Sequence, residues 1–114
     1  MTMSMKIHDI NDLKTVSHAT GGHFFDTGAM RFFDSRVGGF ILRNDDTSGY
    51  FVTSERYDYK SPRLYTVRRY SLVTREDGSP WVDIETVGDF QDWETLKLAQ
   101  TAAESHWKNH AYIN

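Results

Sequence analysis

From Phe40 to Val87 the chain falls into short segments rich in apolar, aromatic and β-branched residues that read with the extended-strand period of two, interrupted at short intervals by turn-forming clusters. That period sends successive side chains to opposite faces of an extended strand, so this half of the chain is restricted to paired strands. Phe40–Arg43 reads as a short strand, followed by the polar turn Asn44-Asp45-Asp46-Thr47-Ser48-Gly49. Tyr50–Arg56 returns, with Tyr50, Val52 and Ser54 on one face and Phe51, Thr53 and Glu55 on the other. After Asp58-Tyr59-Lys60-Ser61-Pro62, the stretch Arg63–Thr74 is rich in β-branched and aromatic residues and reads as a longer strand. Asp77-Gly78 is a hairpin signal, and Trp81–Val87 is its partner strand, with Val82, Ile84 and Thr86 alternating against Trp81, Asp83 and Glu85.

Helical spacing flanks this sheet. Asp9–Ser17 places Ile10, Leu13 and Val16 on one side, has Asp9 or Asn11 as its cap, and stops near Gly21-Gly22, where glycine permits backbone angles other residues avoid. Asp26 or Thr27 is the expected cap of a second helix running to about Arg36, and Gly38-Gly39 ends it. A third helix is expected to begin near Asp89–Asp92, with Asp92, Glu94 and Thr95 supplying first-turn acids and a cap that complement its dipole, and Leu96, Ala99, Ala103, His106 or Trp107, and His110 on its inner face. The expected fold is α+β: an antiparallel sheet of about four strands carrying two short N-terminal helices and one C-terminal helix, in one domain over residues 1–114.

Composition supports a packed domain. Hydrophobic residues make up 39% and aromatics 14% of 114 residues, at a net charge of −3, so the chain has the material for a core. It has no cysteine, which removes disulfides, thiolate metal sites and cysteine nucleophiles, and leaves packing to hold the fold. No apolar run approaches the roughly 20 residues that span a bilayer, and residues 1–9 lack the basic-then-apolar pattern of a secretory signal. A cytoplasmic protein is expected.

No catalytic motif emerges. The serines sit in no nucleophile-elbow pattern, and Gly21-Gly22 lacks the spacing of a phosphate loop. The carboxylate pairs Asp45-Asp46 and Asp83/Glu85 read as solvated surface. His106 and His110 are four apart on a helix, a spacing that suits one metal, but no third ligand is evident. We expect neither an enzyme nor a cofactor.

Charge is unevenly distributed. Residues 56–75 hold Arg56, Lys60, Arg63, Arg68, Arg69 and Arg75 against Asp58, a charge of +5, whereas residues 76–114 hold eight acids against two lysines, a charge of −6. Two readings stand open. Tyr57, Tyr59, Tyr65 and Tyr70 interleave the cations, as a single-strand nucleic-acid surface requires. Alternatively, the basic strand pairs with the acidic one, each opposite pair contributing about 0.2–1 kcal/mol. A third candidate surface is the turn-helix segment containing His23, Arg31 and Arg36, for which capping and core anchoring offer the structural explanation.

The strings Gly22-His23-Phe24-Phe25-Asp26, Met30-Arg31-Phe32-Phe33 and Ser35-Arg36-Val37, together with Tyr50-Phe51-Val52-Thr53-Ser54-Glu55 and Ser61–Arg68, resemble a family of small proteins encoded by bacteriophages and prophages. The resemblance covers about residues 20–90; Thr27-Gly28 departs from it. It implies a noncatalytic accessory protein that binds and modulates a host or phage macromolecule in the bacterial cytoplasm, such as a counter-defence, anti-CRISPR-like inhibitor. The partner surface would draw on His23, Arg31, Arg36, Arg56, Lys60, Arg63, Arg68 and Arg69. Alternatively the acidic C-terminal region docks on a nucleic-acid-binding groove.

Overall fold

The computed structural model describes residues 6–22, 40–55 and 60–111. Its elements run α1 (Ile10–Ala19), β1 (Ile41–Arg43), β2 (Ser48–Glu55), β3 (Leu64–Thr74), β4 (Pro80–Val87) and α2 (Leu96–Ala111). The four strands form one antiparallel sheet in the order β1-β2-β3-β4. The α+β class and the four-stranded antiparallel sheet are as expected from sequence; the helix expected at 26–36 lies outside the described residues.

Each end of α1 is closed by its own sequence. Asp9, in extended conformation, accepts the Asp12 N–H at 2.8 Å, and Asp12 in turn accepts the His8 N–H at 3.0 Å, a reciprocal arrangement akin to a capping box. At the other end Gly22 N–H donates to Ser17 O and Gly21 N–H to His18 O, with Gly21 at φ +92°. These are the paired bonds of a Schellman stop, which needs a residue free of Cβ penalty.

Cross-strand register sorts the sheet into two faces. Tyr50, Val52, Val67 and Arg69 point to one side; Phe51, Thr53, Thr66, Arg68, Tyr70 and Val82 point to the other. Helix α2 rests on β2 and β3 from the first side, on Ala99 and Ala103, both fully buried. Alanine at these positions lets the helix axis approach the sheet closely. Helix α1 lies against β4. It must occupy the second side, because Asp83 and Glu85 on the first are exposed while Val82 is buried. The chain before α1 is tied to the turn between β1 and β2, the Ile7 N–H donating to Asp46 O at 2.7 Å. The sheet is thus sandwiched, and Ile7, Ile10, Leu13, Phe51, Val52, Val67 and Tyr70 share one core.

The turns follow local chemistry. Asp45 accepts from the Thr47 N–H and from the Thr47 and Ser48 hydroxyls, and these bonds, led by the Thr47 N–H, hold its carboxyl below the usual range. The 75–79 hairpin loop turns at Gly78, φ +86°, while Asp77 accepts from the Ser79 N–H. At Gly49 a Cβ would lie 2.5 Å from Leu42 O and 2.6 Å from the Tyr70 hydroxyl, so only glycine admits the Tyr70 ring there. The expected start of the last helix requires correction. Residues 88–93 are not helical, and α2 begins at Leu96 with Thr95 Oγ1 accepting the Leu98 N–H at 3.1 Å.

Candidate functional site

The segment that displaces the expected helix start builds one end of a cleft. β4 pairs with β3 as far as Val87 opposite Val67, and pairing resumes with Trp93 opposite Tyr65 through two backbone bonds of 2.8 and 3.1 Å. The intervening residues 88–92 loop out of the ladder. Gly88 at φ +77° and Gln91 at φ +59° accommodate the reversal, and Asp92 accepts the Asp89 N–H at 3.4 Å. The Gln91 N–H donates to the buried Thr66 hydroxyl at 2.8 Å, which pins the loop to the α1 side of the sheet. Phe90 lies 5.7 Å from the Arg68 guanidinium there and is itself 58% exposed.

On the opposite side, α2 lies over β2 and β3, and β4 extends beyond it. The gap between helix and β4 is an open cleft of about 480 Å³. Val67 and Val87 contribute from the sheet, Gly88, Asp92 and Trp93 from the loop, and Leu98, Thr101, Ala102, Ser105, His106 and Asn109 from the helix. Residues three and four apart share a helix face, so 98, 101, 102, 105 and 109 form one stripe beside the Ala99–Ala103 stripe that packs on the sheet. Leu98 is 48% exposed at the cleft mouth. Trp93 Nε1 is buried with no hydrogen-bond partner among the described residues.

His106 sits where cleft and core meet. Its Nδ1 shares a 2.6 Å hydrogen bond with the Tyr50 hydroxyl, and the two rings meet edge to face at 5.4 Å. Burial raises the pKa of the Tyr50 hydroxyl, opposed in part by the charge of Arg69. At the next residue, Trp107 Nε1 donates to Asn44 Oδ1 at 3.3 Å, so the C-terminal half of α2 is tied both to β2 and to the turn between β1 and β2. Among the described residues no three His, Asp or Glu side chains gather as metal ligands; the His110 side chain lies outside them.

The cations singled out from sequence do not form one stripe. Arg68 and Arg69 point to opposite faces of β3. Arg68 donates from Nε to Thr53 Oγ1 at 2.9 Å and from Nη1 to Thr86 Oγ1 at 3.2 Å. Arg63 donates to the Ser54 carbonyl at 3.3 Å and to its hydroxyl at 3.0 Å. Arg75 stacks 4.8 Å from the Trp81 ring. Arg69 stands opposite Glu85 in the register, a cross-strand match of opposite charge, whereas Arg68 stands opposite Thr86. Lys60 is exposed. His23, Arg31, Arg36 and Arg56 lie outside the described residues, as do Tyr57 and Tyr59. Tyr65 and Tyr70 face opposite sides of the sheet, and Tyr70 is only 1% exposed, so the two cannot stack successive bases on one surface.

The sequence reading missed the cleft. Its available signal was Leu98, an apolar side chain off the inward stripe of α2, close behind Trp93. Among the described residues no helix is long and apolar enough to cross a membrane. No curated protein and no solved structure matches the chain. Residues 9–104, which hold the cleft lining from Val67 to Ala102 but not Ser105, His106 or Asn109, match the family of unknown function DUF7447, and the chain belongs to that family.

Proposed function

We propose that this protein is a noncatalytic binding protein that engages a partner macromolecule through the cleft between α2 and β4. The biological setting is the one its sequence resemblance implies, a small phage-type accessory protein that modulates a host machine, as counter-defence inhibitors do. The observation that carries the reading is the open, apolar-walled cleft with exposed Leu98 at its mouth. Exposed apolar surface in a concave site is costly in water and is relieved by a bound partner.

Two features support binding over catalysis. The histidine in the cleft uses Nδ1 to hold helix to sheet. Ser105 is its immediate neighbour in the helix, and adjacent helical side chains diverge by about 100° and do not face each other. Direct nucleic-acid binding draws less support, because Arg68 and Arg69 point to opposite faces and Arg63, Arg68 and Arg75 are engaged with sheet hydroxyls or Trp81.

The test is capture from a bacterial lysate with the protein and with Ala102→Trp, which fills the cleft while leaving the buried alanines in place. A defined partner held by the parent and lost by the variant is the expected result. A partner retained by Ala102→Trp, or association dominated by short nucleic acid that fades steeply with salt, would overturn the reading.

A further inference from the structure

The chemistry of the cleft rim specifies the kind of partner, on the premise that the cleft is the binding site. Val87, Glu85 and Asp83 lie on one face of β4 and follow the cleft outward along that strand. At about 3.3 Å per residue, Glu85 and Asp83 stand roughly 7 and 13 Å from the apolar anchor point at Val87. Both are exposed, and α2 rests on β2 and β3 and leaves them open. Asp92 adds a carboxylate to the lining itself, and Glu94, two residues on, is exposed. Against these four acids stand Arg69, which faces Glu85 across the strands, Arg75, stacked on Trp81 two residues beyond Asp83 on the same strand face, and the exposed Lys97 and Lys108 of the helix, with the exposed Glu104 between them. The site is therefore an apolar hole continued by an acidic track.

We propose that the cleft binds an extended segment of a partner protein that inserts one large apolar side chain, with Lys or Arg two and four residues away. In an extended chain those residues point the same way as the anchor, and their spacing repeats that of Val87, Glu85 and Asp83 on the strand. Burial of the anchor supplies affinity, and the charge match supplies orientation and speed of encounter. An acidic track disfavours a polyphosphate chain, which sets this partner apart from a nucleic acid bound directly.

The probe is a fluorescein-labelled peptide, Lys-Thr-Lys-Thr-Phe-Thr-Lys-Thr-Lys, whose symmetry serves either strand direction. Companion peptides carry Glu for every Lys, or Ala for the Phe. Fluorescence anisotropy should show binding of the first peptide, with loss on either replacement. The double variant Asp83→Asn/Glu85→Gln, which removes two charges and creates none, should weaken binding about five- to tenfold. Ala102→Trp should abolish it, and Leu98→Ser, a change at an exposed site, should reduce it if the tryptophan impairs folding. Equal binding by the Glu peptide, or no effect of the double variant while Ala102→Trp still abolishes binding, overturns the basic-segment proposal and leaves the cleft reading in place. Binding unaffected by both Ala102→Trp and Leu98→Ser overturns the cleft reading itself. No peptide binding at all, or self-association of the chain that Ala102→Trp disrupts, overturns the proposal, the latter assigning the cleft to a second copy.

Discussion

Tyr70 shows how much one side chain can be constrained by its neighbours. Its ring fills the space over Gly49, and its hydroxyl is buried with no hydrogen-bond partner among the described residues. Burial pushes that hydroxyl up to about 12, with the nearby Arg43 charge pulling it down and Asp45 pushing it further up. The folded state thus holds this proton more tightly than the unfolded chain, in which a tyrosine titrates near 10. The stabilising contribution is complete below pH 10 and is lost as the pH rises toward 12. Urea midpoints should fall across that window, and Tyr70→Phe should flatten the fall. At neutral pH the same variant should be as stable as the parent or more so, by about 1 kcal/mol, since it removes an unsatisfied buried group. A clear loss of stability at neutral pH would mean the hydroxyl has a partner. Sequence alone marked Tyr70 as an interleaved aromatic of a basic strand, because alternation names two faces but not which helix covers each.

For single elements, legibility depended on whether the deciding interactions were local. The start and stop of α1 were readable because Asp9, Asp12, Gly21 and Gly22 act within one turn of their own positions. The hairpin at Asp77-Gly78 was readable for the same reason. The start of α2 was not. Asp89, Asp92 and Glu94 resemble a first helical turn, but the backbone of Trp93 is claimed by Tyr65, far away in sequence, and the helix waits until Thr95 can cap it. Thr95→Ala should therefore cost about 1 kcal/mol, read as a lower urea midpoint, whereas Asp92→Asn should leave helix content unchanged by circular dichroism. Helix loss in the Asp92 variant equal to that of the Thr95 variant would contradict the assigned start.

For the whole molecule, stability should be greatest where both faces of the sheet are covered. The central strands β2 and β3 carry Phe51, Val52 and Val67, all fully buried, and the two helices pack from opposite sides. Hydrogen exchange should find the amides of Val52 and Val67 among the slowest, and those of the three-residue edge strand β1 and of residues 88–92 faster. Slow exchange confined to α1 would place the stable core elsewhere. What the amino-acid sequence determined by itself was everything written in short periods: the strand segments, the two faces of each strand, the turns, the inner stripe of each described helix, and reliance on packing without disulfides. The order of those faces against the helices, the division of the basic stretch between two sides, and the cleft beside an acidic track arose only in three dimensions. They depend on register and on where a helix axis comes to rest, and both are set by contacts between residues far apart in the chain. Periodicity carries no record of such contacts.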